Sequence, residues 1–173
     1  MEVDTRETGT ALPEFDAFFR ETFVAVARAA ALVARDAGAG QDAAQEAFFR
    51  LYERWARIES EEHARRFAFR VAINMARSHV RKAVRVARAG RRLGAMDREP
   101  AAGVEEWLVV RDALAGLTPR RRAVAVLVDY TGMDAAEAGA VLGISPATVR
   151  AHLMRARRDL RTRLGLEEPE VTE

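Results

Sequence analysis

Residues 134–160 read DAAEAGAVLGISPATVRAHLMRARRDL, and the punctuation inside this stretch decides the fold of the second half of the chain. Asp134 followed three residues later by Glu137 is a helix N-cap with its return partner. Gly143 stops the short helix that follows, and Ser145-Pro146 opens another with a cap and a proline at the first helical position. A short helix, a turn containing glycine and a second helix make a helix-turn-helix. Ala138, Val141 and Leu142 are placed to pack on Ile144 and Val149, while Val149, Leu153, Ala156, Leu160 and Leu164 hold one face of the second helix on the core. The opposite face carries Ala147, Arg150, Ala151, Met154, Arg155 and Arg158. Small side chains at its start and arginines further along suit a helix whose first residues read base edges in a major groove while the later ones hold phosphates. An ordinary helical hairpin with a solvated basic face is the plainer alternative, and the coincidence of caps, glycine turn and basic face disfavours it.

Working outward, Thr118-Pro119 caps a helix that reaches about Tyr130, where Gly132 breaks it, and Trp107, Val110, Leu114 and Leu117 mark an amphipathic helix before that. Residues 89–103, AGRRLGAMDREPAAG, have three glycines, a proline and no period, which is linker composition. Further upstream, Phe15, Phe19, Phe23, Val26, Ala30 and Val33 stripe a helix from about Glu14 to Ala37, ended by Gly38 and Gly40. Asp42 is placed to cap a second helix bearing Phe48, Leu51, Trp55 and Ile58. A polar ESEEH turn follows, then a third helix from about Ala64 to near Val86, with Phe69, Ile73, Ala76 and Val80 on one side. No alternation of period two argues for sheet. The expectation is an all-α chain of two small helical domains joined by a flexible linker: an N-terminal segment 1–13, domains at 14–88 and 104–165 around the 89–103 linker, and an acidic tail 166–173.

Composition narrows the function. The chain has 173 residues, 49% hydrophobic and 31% charged, with no cysteine, which excludes disulfides, thiolate metal sites and cysteine nucleophiles. The acidic, polar N-terminus is no signal peptide, and no apolar run approaches the ~20 residues of a membrane span, so a cytoplasmic protein is expected. The net charge of +2 conceals blocks: residues 1–62 carry −6, 63–98 carry +10, 99–119 carry −3, 120–163 carry +5 and the last ten carry −4. Two basic stretches flanked by acidic ones suggest two contacts with a polyanion, or one such contact and an acidic partner.

The first basic stretch is ordered. Arg70, Asn74, Arg77, Arg81, Arg85 and Arg88 follow at spacings of 4, 3, 4, 4 and 3, one stripe on a helix of 3.6 residues per turn. Like charges this close destabilise an isolated helix, so an anionic partner is implied, and one amide among arginines can pair with a base edge. Phe67 and Phe69 at the start of this helix read as core. On the second helix Asp42, Gln45, Glu46, Arg50 and Glu53 make a mixed polar face that suits a protein partner. His63, His79 and His152 lie in separate segments without metal-ligand spacing, and no phosphate loop or nucleophile elbow is present. No enzyme, cofactor or metal is expected.

In this order the residues resemble bacterial RNA polymerase sigma factors of the extracytoplasmic-function (ECF) group, over about residues 14–165. DAAQEAFFRLYERW (42–55) is similar to the family's core-binding helix, FAFRVAINMARSHVRK (67–82) to its helix for melting and reading the minus-ten element, and LTPRRRAVAVLVDYTGMDAAEAGAVLGISPATVRAHLMRARRDLR (117–161) to its minus-35-reading domain. The resemblance implies that Asp42, Gln45, Glu46 and Arg50 dock on the clamp coiled coil of the polymerase largest subunit, with the second-largest-subunit flap as a further contact. It implies that Arg70, Asn74, Arg77, Arg81 and Arg85 meet minus-ten DNA, with a loop from Glu59 to Arg66 receiving a flipped base. Ser145, Ala147, Thr148, Arg150, Ala151, Arg155 and Arg158 would face minus-35 DNA. Promoter DNA, core polymerase and an anti-sigma factor are the partners so implied. Ser78, Phe67 and His152 depart from the usual family residues. The alternatives are a free-standing helix-turn-helix regulator and an all-α module that sequesters another regulator.

Overall fold

The computed structural model describes residues 11–88 and 104–166. Seven α-helices follow in order among the described residues: α1 (Ala11–Ala34), α2 (Ala37–Tyr52), α3 (Glu61–Arg88), α4 (Val104–Leu114), α5 (Pro119–Ala125), α6 (Ala135–Leu142) and α7 (Pro146–Leu164). A single 3₁₀ turn at Trp55–Arg57 precedes α3, and α5 runs on into a wide π turn at Val126–Tyr130. No strand occurs among the described residues, as the patterning requires. The 89–103 linker, the N-terminal segment up to residue 10 and the tail beyond residue 166 lie outside the described residues.

The junction between α1 and α2 differs from the sequence expectation. Gly38 and Gly40 do not end the first helix; both lie inside α2, and the cap is Asp36, whose carboxylate accepts from the Ala39 N–H at 2.9 Å. Asp42 is therefore no cap but an exposed residue of the second turn. The reason for Gly40 is space. A Cβ there would stand 2.4 Å from the Ala31 backbone, because α1 and α2 cross nearly in contact. Small residues line this crossing, with Ala30, Ala43, Ala44 and Ala47 all buried. Trp55 and Ile58 fall beyond α2, yet Trp55 still packs edge-on to Phe15 at 5.1 Å and against Phe18 at 5.6 Å.

The third helix also starts earlier than expected. Ser60 Oγ accepts from the His63 N–H at 3.1 Å, so Glu61 to Arg66 are helical and the turn before α3 is short. Phe69, Ile73 and Ala76 are buried as expected. In the second half the caps stand where the sequence put them: Thr118 on α5, Asp134 on α6 and Ser145 on α7. Leu164 is the exception to the core stripe of α7, 51% exposed.

The two groups of helices share one continuous buried cluster. Arg122 sits in it, 4% exposed, with no carboxylate partner among the described residues. Its Nε donates to the Leu114 carbonyl at 3.1 Å, Nη2 to that of Leu117 at 3.0 Å, and Nη1 to that of Val33 at 3.2 Å. Leu114 and Val33 lie in the last turns of α4 and α1, where carbonyls lack intrahelical partners and the helix dipole favours a cation. Burial, and then Arg35 nearby, push the Arg122 pKa down to about 10, which still leaves it charged at neutral pH.

The α1–α2 crossing yields a direct test. Gly40→Ala should lower stability by about 1–3 kcal/mol, the usual cost of overpacking a tight core, read as a lower urea midpoint. Gly38→Ala, whose Cβ meets only the Asp36 carboxylate at 3.3 Å, should change the midpoint far less.

Candidate nucleic-acid interface

The helix-turn-helix is built from local hydrogen bonds. Asp134 Oδ1 accepts from the N–H groups of Ala136 at 2.7 Å and Glu137 at 2.8 Å, and Glu137 returns a carboxylate oxygen to the Asp134 N–H at 2.8 Å. Gly143 closes α6 in the left-handed region with φ 68°, and the Ile144 N–H reaches back to the Gly139 carbonyl at 3.0 Å. Gly139 has no room for a side chain, since a Cβ would lie 2.7 Å from the Ile144 carbonyl oxygen. Ser145 Oγ then accepts from the Thr148 N–H at 3.2 Å and pairs with Thr148 Oγ1 at 2.8 Å.

This geometry fixes which side of α7 faces out. Val149 and Ala156 are fully buried, and Ala147, Arg150, Ala151, Met154, Arg155 and Arg158 are exposed, with Ser145 exposed at the cap. Thr148 is half-buried and committed to the cap, so it is less free than the sequence suggested. The arginines sort by role. Arg157 is bound to Asp129 at 2.6 Å, a hydrogen bond and ion pair that raise its pKa, and Arg121 is paired with Asp159. These pairs brace α7 against α5 and the π turn. Arg150, Arg155 and Arg158 on the outward face have no ion pair among the described residues. Unpaired, solvated guanidinium groups beside small side chains are what a phosphate backbone can approach.

On α3, Arg70, Asn74, Arg81 and Arg85 are exposed along one side, opposite buried Ala68, Ala72 and Ile73. Arg81 donates to Ser78 Oγ at 2.6 Å. Arg77 departs from the expected stripe: it is half-buried where α5 packs on α3, and its pKa is lowered by burial first, then by Arg120 and Arg81. Phe69 is core, but Phe67 is only half-buried. It lies beneath the Arg54 guanidinium at 5.5 Å and lines an open hollow with Arg57, Ile58 and His63.

On α2 the structure brings Asp42, Gln45, Glu46 and Arg50 to one side. Glu46 and Arg50 are paired to each other at 2.6 Å, which leaves Asp42 and Gln45 as the open polar groups. Phe49, 59% exposed, and Tyr52, 48% exposed, lie beside them, and the sequence reading passed over both. The signal was the doublet Phe48-Phe49, since neighbours on a helix diverge by about 100° and cannot both face one core. No group of three or more metal-ligating side chains occurs among the described residues, and no helix there is long and apolar enough to cross a membrane.

The chain matches the family model for Sigma-70 region 2 over residues 18–86 and that for Sigma-70, region 4 over residues 107–160. It is 33% identical to the RNA polymerase sigma-E factor of Streptomyces coelicolor over 153 residues, 87% of this chain and 86% of that protein. It is 30% identical to the ECF RNA polymerase sigma factor SigC of Mycobacterium tuberculosis, over 82% of this chain and 78% of that one. Its structure resembles CnrH solved with the cytosolic domain of CnrY, with a TM-score of 0.70 at 26% identity over 92% of each chain. It also resembles the sigma factor RpoE solved with the anti-sigma factor NepR from Bartonella quintana, with a TM-score of 0.74 over 90% of this chain and 99% of that one; at 18% identity that likeness concerns the fold.

Proposed function

The chain belongs to the sigma-70 family of RNA polymerase sigma factors, in its extracytoplasmic-function group, and from that premise we propose that it is a dissociable specificity subunit acting at two promoter elements. The observation that carries this reading is the pair of exposed basic faces, one on α3 and one on α7, whose outward arginines have no carboxylate partner among the described residues. It works in the cytoplasm and catalyses no reaction itself. Because both halves match the family, a free-standing regulator is not favoured.

Core polymerase docks on α2. Asp42 and Gln45 supply polar contacts to the clamp coiled coil, the Glu46–Arg50 pair holds its own geometry, and Phe49 and Tyr52 give the apolar area that a polar face alone lacks. The C-terminal helices meet the flap. On DNA, Arg70, Arg81 and Arg85 hold the backbone near the minus-ten element and Asn74 reads a base edge. A base flipped from the stack costs a few kcal/mol in lost stacking. The hollow floored by Phe67 and flanked by Arg54 and Arg57 offers an aromatic face and cations to offset that loss. On α7, Arg150 and the small residues Ala147 and Ala151 approach the minus-35 groove while Arg155 and Arg158 engage phosphates. An anti-sigma factor holds this chain inactive, a reading supported by the anti-sigma factor NepR solved with the structural neighbour RpoE.

Core polymerase supplied with this protein should start transcription at discrete new sites on a fragment library of the source genome. Absence of such sites together with failure to bind core would overturn the assignment. Asn74→Ala should impair opening of the minus-ten region, followed by permanganate reactivity, far more than it weakens core binding; an equal loss of both would remove Asn74 from the reading role. Replacing Arg150 and Arg155 together by Ala should weaken minus-35 duplex binding and make its logarithmic salt dependence shallower by about two.

A further inference from the structure

Residues 167–173 read EEPEVTE, four glutamates in seven positions, and lie outside the described residues. The handover from α7 to them is a tight turn. Gly165 is left-handed with φ 65°, its N–H donating to the Thr162 carbonyl at 3.4 Å, and the Leu166 N–H reaches back to the Arg161 carbonyl at 3.0 Å. This pair of bonds ends a helix by turning the chain back beside its own last turn instead of onward along the axis. Leu166 is thereby brought level with Arg161, and both are exposed. Further back on the same outward side of α7 lie Arg158, Arg155 and Arg150, also exposed. None of these four arginines has an ion pair among the described residues, in contrast to Arg157, which is held by Asp129.

The two sets of charges share a spacing. An extended chain advances about 3.4 Å per residue, which puts Glu167, Glu168, Glu170 and Glu173 at about 0, 3, 10 and 20 Å from the first of them. A helix advances about 1.5 Å per residue, which puts Arg161, Arg158, Arg155 and Arg150 at about 0, 5, 9 and 17 Å back along α7. Pro169 disfavours a helical conformation at Glu168, as an extended run requires. Exposed ion pairs are individually weak, but a tether of so few residues keeps the glutamates at an effective concentration in the millimolar range. We propose that residues 167–173 fold back along the outward face of α7 and set Glu167, Glu168, Glu170 and Glu173 against Arg161, Arg158, Arg155 and Arg150. The acidic tail is then an internal competitor for the phosphates of DNA, a role that rests on the reading of α7 as the DNA-facing helix. Competition of this kind lowers binding to every duplex by the same factor, so the weakest, non-specific sites are lost first.

The test uses the full chain. Since it has no cysteine, Val171→Cys carries a single nitroxide label in the tail, which should broaden backbone amide resonances of residues 150–161 and spare those of α2. Sodium chloride at 1 M, where the Debye length is about 3 Å, should abolish the broadening. Replacing the four glutamates by Gln should tighten binding of a short mixed-sequence duplex by about three- to tenfold at low salt, with no gain at high salt. Loss of negative charge anywhere would give part of that gain, so Arg161→Gln, with circular dichroism unchanged, is the discriminating variant. It should reduce the broadening on α7, and in its background the glutamine tail should add less affinity than it does in the wild type. Broadening absent from α7, or spread equally over α2, overturns the seat of the tail. An undiminished gain in the Arg161→Gln background overturns the pairing. Broadening confined to α7 in a chain that binds no duplex, with either tail, supports the seat and refutes the DNA reading instead.

Discussion

A guanidinium withdrawn from water must find acceptors for its N–H groups or lose far more than it gains by burial. Arg122 meets that demand with three backbone carbonyls and, among the described residues, no carboxylate; two of these carbonyls, Val33 and Leu114, lie in the last turns of α1 and α4, and that of Leu114 also accepts from the Leu117 N–H. One side chain thus completes the end of α1 in the first half of the chain and the end of α4 in the second. The surrounding apolar residues, Leu114, Leu117, Val33 and Ala34, are buried because this polar junction is satisfied among them. This junction joins the two halves together with the packing of α6 on α3 and of the π turn on α1.

Around it the arginines are distributed by environment. Of three in succession, Arg120 is exposed, Arg121 pairs with Asp159 across to α7, and Arg122 is buried. On α7 itself Arg157 turns toward Asp129 while Arg155 and Arg158 turn to solvent. The same residue type therefore braces the fold on one side of a helix and remains available to a polyanion on the other. Neutralising the inward set with Asp129 and Asp159 keeps α7 in place without reducing the charge that its outward face presents.

Much of this was legible in the sequence because it is encoded locally. The caps at Thr118, Asp134 and Ser145, the left-handed glycine at 143 and the outward arginines of α7 depend on neighbours within a few residues, and each stands where the pattern placed it. The misreadings have two causes, contacts of longer range and a choice between competing local caps. Gly38 and Gly40 look like a helix stop, but Gly40 answers to a backbone 2.4 Å from its absent Cβ, in another helix. Asp42 is as good a cap by type as Asp36, and only the start of α2 decides between them. Glu59 to Arg66 reads as a polar turn until Ser60 is seen to cap α3. Arg77 has the spacing of a surface residue but meets α5 from the other half of the chain. Nothing in RRR distinguishes Arg122 from its neighbours until the carbonyls it serves are in place. The DNA- and polymerase-facing roles of the individual residues rest on their exposure and chemistry.

The wide turn at Val126–Tyr130, where the Thr131 N–H reaches the Val126 carbonyl five residues back, holds one residue more than an α-helix of the same advance. Each residue of a regular helix rotates the chain by about 100°. Removing one residue here would therefore return the segment to regular helix and leave α6 and α7 close to their present phase. The extra residue is absorbed inside the turn, where its cost falls on the turn's own hydrogen bonds and not on the aim of the reading helix.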